Sequence, residues 1–373
     1  MKKLYLRLKD YSEYLFLAFI VLMGELGSCG FSSSDRVYKI VFIGCALLWA
    51  LKMCLSGLNL KEISIIFAAF LLWGLVFLRN GEKTFLLTLM AIFGMKNVSK
   101  EKVMWYSLVT KAFTTVCIFL LAVTDVIENK YIVNIKFGAK VKNYCFGYSH
   151  PNHAFMNLFM IAIVLVVIYK EKMKWYMYLL LTAVFYGAYR LFLCRTGFLL
   201  WLLLVFAVFV YRFLQKWYGS DVFLRLMHAV PGVMLFMTFF LAFLFKKKVG
   251  IVRELNSLLN ARISDVATRM GRVKTSFIGL QTARSFDNGY FHLVYNYGFI
   301  ITILFVVLLS GAIYYFAKRN MGYEAIALMV LSVFLYMEFA VLSPVWNTLL
   351  ILLGYVFFER INEKKKGKEL KNG

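Results

Sequence analysis

The sequence is dominated by twelve apolar runs that follow one another along almost the whole chain. They cover residues 14–30, 38–56, 62–78, 84–95, 103–123, 153–169, 175–193, 197–214, 226–245, 290–317, 323–342 and 344–358. An open segment in lipid satisfies its backbone polar groups only as a helix. The runs therefore predict an all-α polytopic membrane protein with about 12 transmembrane helices (11–12).

The composition supports the same class. Of the 373 residues, 62% are apolar, whereas a soluble domain is about half apolar. This excess excludes soluble enzymes, secreted disulfide scaffolds and disordered proteins. Because no soluble domain or linker interrupts the series, residues 1–373 are predicted to form one membrane domain, with a basic cytoplasmic tail at 360–373.

Basic residues in the short loops predict the orientation of the chain. With both termini in the cytoplasm, the inner segments hold 23 Lys and Arg and the short outer segments hold 6. Two long outer loops, residues 124–152 and 246–288, hold 13 more, against this rule. Basic charge in these two loops opposes the orientation that the short loops predict, which indicates that this charge has a function. We therefore predict that the active site lies at these two loops. The run at 84–95 is short for a span, but if it did not cross, the short loops would hold 8 basic residues inside and 21 outside, so we predict that it crosses.

The larger outer loop, residues 246–288, carries 9 basic and 3 acidic residues. Apolar residues between Ile251 and Val266 recur at helical spacing, which predicts an amphipathic helix at the membrane surface. Another face of this helix carries the charged residues Arg262, Asp265, Arg269 and Arg272. A planar guanidinium binds two oxygens of a phosphate or pyrophosphate at once, so these arginines are candidate ligands. The alternative is contact with anionic lipid headgroups.

The smaller outer loop, residues 124–152, ends in the sequence Phe146–His153 and runs directly into an apolar run. Within this sequence, His150 is a candidate catalytic base, and Tyr148 and Asn152 are candidate substrate ligands. The structural alternative for Asn152 is a cap on the helix that follows. The two histidines lack an evident third ligand nearby, so we predict no metal site.

Charged residues also lie within or beside the apolar runs. Arg190 and Arg195 flank a turn with almost no room for a loop, at the predicted outer interface, and Lys111 and Glu338 lie inside runs. Charge within a membrane is costly and indicates function by default. Snorkelling to the headgroups is the alternative for the arginines. A structural ion pair, or snorkelling of Lys111, is the alternative for the other two.

The larger loop closes with Asp287–Tyr290, just before an apolar run. An Asp-Asn-Gly sequence is typical of a turn followed by a helix cap. Its position also returns a carboxylate to the membrane surface near the arginine-bearing helix. Asp287 is therefore a second candidate base, and Asn288 and Tyr290 are candidate substrate ligands.

Several of these stretches, in this order, resemble the Wzy-type polysaccharide polymerase and O-antigen ligase superfamily of bacterial membranes. The resemblance covers about the second half of the chain by motif, and the whole chain by span count and large outer loop. The motifs that carry it are Ser149–Asn152, Arg195–Gly197, Ala261–Ile263, Phe277–Gly279 and Asp287–Tyr290.

The resemblance implies a GT-C-like glycosyltransferase in the bacterial cytoplasmic membrane. Such an enzyme transfers a growing glycan from polyprenyl pyrophosphate to a lipid-linked repeat unit on the outer face, without cofactor, metal or nucleic acid. Membrane lipids, a chain-length regulator and a flippase of the same pathway are implied partners. The ligase branch has a histidine at the position of Asp287, so this residue favours the polymerase branch and leaves the identity of the base open.

The reaction implied by the resemblance assigns roles to these residues. Cleavage of a glycosyl–pyrophosphate bond leaves a highly charged group, which preorganised arginines stabilise, and Arg195 and Arg262 are the candidates. Asp287 and His150 are the candidates for the base that deprotonates the acceptor hydroxyl. Further substrate contacts are expected from Arg190, Arg269 and Arg272, and from the rings of Tyr148 and Tyr290 stacking on sugars.

Two other functions compete with polymerisation. An O-antigen-type ligase would attach finished glycan to a different acceptor, and a flippase or transporter would move lipid-linked sugars. Transporters tend to show paired repeats and helices broken near the bilayer midplane, whereas this chain has 3 prolines and no visible repeat. A non-catalytic scaffold would not need arginines concentrated in outer loops.

Overall fold

Helices occupy most of the chain in the computed structural model, which describes residues 2–28, 36–136, 139–217, 221–272, 276–280 and 284–372. The α-helices are α1 (Lys2–Ser28), α2 (Arg36–Leu55), α3 (Leu60–Asn80), α4 (Thr84–Gly94), α5 (Lys100–Val123), α6 (Pro151–Tyr169), α7 (Trp175–Phe192), α8 (Arg195–Trp217), α9 (Asp221–Leu226), α10 (Val230–Lys246), α11 (Gly250–Leu258), α12 (Arg262–Arg269), α13 (Gly289–His292), α14 (Gly298–Lys318), α15 (Gly322–Met337) and α16 (Ile351–Asn372). Short 3₁₀ turns cover Lys170–Lys172, Met227–Ala229, Phe339–Leu342 and Thr348–Leu350, and a π-helical turn covers Leu293–Tyr297.

Among the described residues, 7 helices are long and apolar enough to cross a membrane. They cover Arg36–Leu55, Leu60–Asn80, Lys100–Val123, Pro151–Lys172, Arg195–Lys216, Val222–Lys246 and Gly289–Lys318. Such helices are the signature of a polytopic membrane protein. The fuller count of twelve spans stays a prediction. The run at 84–95 forms α4, which has 11 residues and at 1.5 Å per residue covers roughly half of a ~30 Å hydrocarbon core.

The last two predicted spans, 323–342 and 344–358, have different boundaries in the structure. Helix α15 ends at Met337 and α16 begins at Ile351. The segment between them has only short 3₁₀ turns. Most of its residues are apolar and buried, so hydropathy alone does not reveal that the helix is interrupted.

The interruption has a local cause, and polar groups compensate for it. Pro344 disfavours the helical region for the residue before it, and Ser343 is extended, with φ −92° and ψ 130°. The carbonyl of Val345 accepts a hydrogen bond of 2.7 Å from the Lys111 ammonium, which is buried. The Asn347 side chain caps the 3₁₀ turn that follows. Lys111 therefore binds backbone within the fold, and the snorkelling alternative for it is wrong.

The smaller outer loop contains an antiparallel β-hairpin, which corrects the all-α prediction. Strand β1 (Tyr131–Lys136) pairs with β2 (Ala139–Tyr144), from Tyr131 opposite Tyr144 to Lys136 opposite Ala139. Residues 133–136 and 139–142 alternate apolar with polar side chains, the pattern of a strand with one solvated face. The apolar runs on either side outweigh this short signal, which is why the sequence analysis missed the hairpin.

Contacts between Cα atoms divide the chain into two units. The first unit comprises residues 1–60, 90–205 and 344–373. In it, α1 packs against α2 and α5, α5 packs against α6, and α6 packs against α7. Gly197, in the first turn of α8, lies so close to the ring of Phe155, in the first turn of α6, that no Cβ fits between them. The first turns of α6 and α8 therefore lie side by side.

The second unit comprises residues 61–89 and 206–343. In it, α10 packs against α12, α14 and α15, and α14 packs against α15. One buried cluster joins α10, α12 and the start of the segment from α13 onward, and it consists of Ala242, Val266, Ala267, Phe286, Phe291, Val294 and Tyr295. Gly289 abuts Leu335 of α15 with no room for a Cβ. This approach brings the start of α13 against the end of α15.

The helical periodicity of the larger loop is confirmed, but it forms two helices rather than one. Helix α11 ends at Leu258 and α12 starts at Arg262, with Asn260 and Ala261 between them at φ 51° and 64°. Ile263 and Val266 are buried as the apolar face predicts, whereas Ile251 and Leu258, of the same predicted face, are exposed. The left-handed break changes the direction of the chain, so one continuous apolar face does not form.

We expect Gly197→Ala to lower the melting temperature of the purified protein in detergent. The new methyl overlaps the Phe155 ring, and overpacking of this kind costs about 1–3 kcal/mol. The matched control is Gly187→Ala in α7, where a Cβ meets no atom within 4 Å and helix propensity improves. Equal melting temperatures for the two variants would contradict the packing of α8 on α6.

Candidate functional site

Arg262 is held between two carboxylates in the second unit. Its Nη1 donates to Asp287 Oδ2, and its Nη2 donates to Glu338 Oε1 at 2.8 Å. The Arg262 side chain is 14% exposed, that of Glu338 20% and that of Asp287 55%. We call these three residues the Arg262 cluster. The predicted return of Asp287 to the arginine-bearing helix is confirmed by this contact.

The start of α12 positions Arg262. The preceding residue, Ala261, has a left-handed backbone at φ 64° and ψ 16°. The chain turns there, and Arg262 becomes the first residue of the helix. Ile263 and Val266 on the same helix are buried and fix it against its neighbours. The guanidinium is therefore held by a packed helix rather than by a free loop.

The segment that carries Asp287 is fixed by the following residue. Asn288 caps α13, since its Oδ1 accepts a hydrogen bond of 2.9 Å from the Phe291 amide. This confirms the helix-cap interpretation of the Asp-Asn-Gly sequence. The Asn288 side chain is 2% exposed, and its Nδ2 finds no hydrogen-bond acceptor among the described residues. A buried donor without a partner costs about 1–3 kcal/mol, so this amide is ready to donate to a ligand oxygen.

Glu338 was noted in the sequence as an acid inside an apolar run, and the structure assigns it the ion pair with Arg262. It is the C-cap residue of α15, with extended backbone at φ −143° and ψ 118°. The next residue, Phe339, stacks on His292, with ring centroids 4.6 Å apart and planes 12° apart. This stacking holds the end of α15 close to α13.

A buried amide network, which sequence reasoning missed, fixes the chain just before Asp287. The Asn296 side chain donates to the Arg284 carbonyl at 2.6 Å and accepts from the Arg284 amide at 3.1 Å. The Asn296 carbonyl accepts from Asn80 Nδ2 at 2.7 Å. Asn296 lies in the π-helical turn, and such turns occur frequently at functional sites. A polar residue inside an apolar run was the available signal.

The other loop residues predicted to bind substrate have separate environments. Arg269 donates to Asp265 at 2.6 Å, and its guanidinium lies over the Phe286 ring at 5.4 Å. Arg272 is exposed in the turn after α12. Tyr290 is fully buried, and its hydroxyl donates to the Ser332 carbonyl at 3.0 Å. Tyr290 therefore offers no exposed face on which a sugar ring could stack.

The histidine-bearing sequence lies in the first unit, at the start of α6. His150 is the N-cap residue, and its Nδ1 accepts a hydrogen bond of 3.1 Å from the Asn152 amide. The residue that caps α6 is therefore His150. The interpretation of Asn152 as the cap of this helix is wrong. His153 Nδ1 lies 2.9 Å from Ser149 Oγ, and its ring lies 4.6 Å from that of Trp346.

The remaining predicted residues also belong to the first unit. Arg195 is the first residue of α8, and Leu193 before it has a left-handed backbone at φ 49°, which makes the tight turn that the sequence predicts. Arg190, in the last turn of α7, donates to the Tyr186 hydroxyl at 3.4 Å. Tyr148 is 4% exposed, and its hydroxyl donates to Thr115 Oγ1 at 3.3 Å. It therefore faces the protein rather than solvent.

Across the described residues, no group of three or more His, Cys, Asp or Glu side chains could hold a metal ion. None of the five cysteines that the structure describes forms a disulfide, and burial raises the pKa of the Cys145 thiol. Comparisons with protein-family models, with curated proteins and with solved structures find no match to this chain. Its function must therefore be argued from its own residues.

We expect a double-mutant cycle of Arg262→Ala and Glu338→Ala to give a coupling of about 1.5–3 kcal/mol in the free energy of unfolding, because a mostly shielded charged hydrogen bond is lost. The matched cycle uses Arg269→Ala and Asp265→Ala, whose side chains are 42% and 32% exposed. This second coupling should stay below about 1 kcal/mol. Equal couplings in chemical denaturation would contradict the burial of the Arg262 cluster.

Proposed function

We propose that the protein is a polysaccharide polymerase of the bacterial cytoplasmic membrane. It transfers a growing glycan from a polyprenyl pyrophosphate carrier to a lipid-linked repeat unit on the outer face. The observation that carries the proposal is the Arg262 cluster, which places a cation and an accessible carboxylate beside the start of the membrane helix Gly289–Lys318. The ordered motifs that resemble the Wzy-type superfamily support the same reading.

In the proposed reaction, Asp287 is the general base. An acceptor hydroxyl attacks the anomeric carbon of the donor glycan and forms the new glycosidic bond, while the bond from that carbon to the pyrophosphate oxygen breaks. The hydroxyl proton passes to the Asp287 carboxylate, and polyprenyl pyrophosphate leaves with the bonding electron pair. Asp287 is favoured over His150 because its side chain is 55% exposed, whereas His150 uses its Nδ1 to cap α6.

The second carboxylate shares the arginine with Asp287. One guanidinium charge is shared between Asp287 and Glu338, so the cluster carries a net negative charge. Arg262 has five N–H donors, and the two carboxylates engage two of them. The others are available to the oxygens of the leaving pyrophosphate.

Arg195, in the first unit, is proposed to bind an anionic group of the substrate. Preorganised donors at the position where charge develops lower the barrier of such reactions. Arg190, Arg269 and Arg272 are proposed to bind the substrate more weakly, and the buried amide of Asn288 to donate to a sugar or phosphate oxygen.

Arg262→Ala should abolish long surface glycan when it replaces the chromosomal copy, because both the base and the leaving group lose their cationic partner. Lipid-linked single repeat units should then accumulate on the outer leaflet. Arg262→Lys keeps the charge but cannot bind two carboxylates through a planar guanidinium. This variant should strongly reduce the amount of long surface glycan. Arg253→Ala, in the exposed part of the same loop, is the matched control and should make normal glycan.

The glycan is sized by gel electrophoresis, and the lipid-linked pool is analysed by mass spectrometry, with membrane levels of each variant checked by immunoblot. Full-length polymer in a normally expressed Arg262→Ala strain would overturn the proposal. Repeat units confined to the cytoplasmic leaflet would indicate a flippase. Long glycan that stays on its lipid carrier would indicate an O-antigen-type ligase.

Asn288→Asp tests the unpaired amide directly. The aspartate keeps the oxygen that caps α13, since Asn and Asp cap helices about equally well, but it lacks the Nδ2 donor. We expect the KM of the purified enzyme for lipid-linked substrate to rise about tenfold or more, the size of one lost hydrogen bond to a charged or strongly polar group. Asn288→Ser should behave in the same way. An unchanged KM in both variants would contradict the substrate contact.

A further inference from the structure

Three polar side chains of the first unit are buried and have no hydrogen-bond partner among the described residues. They are Ser107 of α5, Asn157 of α6 and Thr348 of the 3₁₀ turn before α16, and they are 2%, 1% and 1% exposed. Both the oxygen and the nitrogen of the Asn157 amide lack a partner, and so do the two hydroxyl groups. Buried polar groups are almost always paired, so three such side chains in one region indicate a polar ligand.

The segment that carries Thr348 runs antiparallel to α5. At one end of the segment, the Val345 carbonyl accepts a hydrogen bond of 2.7 Å from the Lys111 ammonium. Further along the segment, the centre of the Tyr355 ring lies 5.2 Å from the Lys100 ammonium. Residues 345–355 therefore lead from the middle of α5 toward its start.

Ser107 and Thr348 lie at a similar depth in the bundle. Ser107 precedes Lys111 by four residues, so it occupies the same face of α5 about 6 Å nearer the start of that helix. Thr348 follows Val345 by three residues in the same direction, and its 3₁₀ turn packs against α5. The two hydroxyl groups thus come from facing elements, one step beyond the hydrogen bond between Lys111 and Val345.

Asn157 reaches this depth from α6. The His153 ring lies 4.6 Å from the ring of Trp346, which belongs to the same segment as Thr348. Asn157 is four residues further along α6, so it lies on the face that His153 turns toward this segment. Because residues just before α6 contact the later turns of α5, α6 also runs toward the start of α5. We call Ser107, Asn157 and Thr348 the buried polar triad.

The surroundings of the buried polar triad favour an anion over a cation. The triad offers two hydroxyl donors and an amide donor, and the Lys111 ammonium, which is 2% exposed, lies one turn away. Neither α6 nor residues 339–358 contain an Asp or a Glu. A cation would be repelled by the ammonium, whereas an anion is attracted by it and accepts hydrogen bonds from the triad.

We propose that the buried polar triad binds a small monovalent inorganic anion, of the class of chloride and bromide. A phosphate or sulfate carries more charge than one ammonium balances, and burial of an unbalanced charge is costly. The bound anion joins α5, α6 and the 3₁₀ turn before α16. Since it binds the folded chain, it also stabilises the first unit.

Asn157→Leu tests the site because it removes the amide and keeps a side chain of similar size. Thr348→Val, which removes only the hydroxyl, is the second variant. The matched control is Asn143→Leu in β2, where the asparagine is also 2% exposed and has an unpartnered side-chain oxygen. All three changes remove a buried polar group, and only two of them remove it from the triad.

The experiment measures binding of radioactive chloride to the purified full-length protein in detergent by equilibrium dialysis, with unlabelled bromide and gluconate as competitors. The wild-type protein and Asn143→Leu should bind chloride, and bromide but not gluconate should displace it. Asn157→Leu and Thr348→Val should bind about tenfold more weakly or worse, the size of one lost hydrogen bond to a charged group.

Melting temperatures in sodium chloride and in sodium gluconate of equal concentration give a second readout. The wild-type protein should melt about 2–4 °C higher in chloride, and Asn157→Leu should lose this difference. In gluconate, Asn157→Leu should melt no lower than the wild-type protein, because it removes an unpartnered amide. Absence of chloride binding by the wild-type protein, as expected if the triad holds only water, would overturn the proposal. Undiminished binding by both triad variants would overturn it as well.

Discussion

The candidate site depends on one constraint: a guanidinium that is mostly shielded from water must be balanced by nearby negative charge. Arg262 meets this requirement with two carboxylates, one from the end of the larger outer loop and one from the end of α15. The three residues come from separate segments, so their meeting fixes these segments to one another. The same arrangement leaves Asp287 accessible, because the more buried Glu338 supplies part of the neutralising charge.

The surroundings of the Arg262 cluster serve to keep it in place. Asn288 caps α13 directly after Asp287, Asn296 binds both backbone groups of Arg284 before it, and Phe339 stacks on His292 directly after Glu338. Each carboxylate is thus adjacent in sequence to a residue that is fixed by capping or stacking. Preorganisation of this kind is what electrostatic stabilisation of a charged leaving group requires.

The sequence predicts the helices well and their ends poorly, for a physical reason. In lipid, hydropathy and helix formation are linked, so long apolar runs give α2, α3, α5 and α14 directly. The segment 338–350, between the end of α15 and the start of α16, is itself mostly apolar and buried. Hydropathy therefore gives no sign that the helix is interrupted there. The hairpin at 131–144 is short and lies outside the apolar runs, where a period of two is easily overlooked.

The site could be predicted only in part. The charge imbalance of the loops singles out Arg262 and Asp287, and the intramembrane acid singles out Glu338, but the pairing of Arg262 with Glu338 spans 76 residues and depends on tertiary structure. The burial of Tyr290 and Tyr148 could not be predicted either, because tyrosines near a membrane surface have the same sequence pattern whether they face solvent or the protein.

The most direct test of the central claim is reconstitution of the purified protein in vesicles with its lipid-linked repeat unit as the only substrate. We expect glycan chains to lengthen while polyprenyl pyrophosphate is released, one molecule for each glycosidic bond formed. Movement of intact lipid-linked units across the membrane, with neither chain growth nor release of pyrophosphate, would contradict this claim.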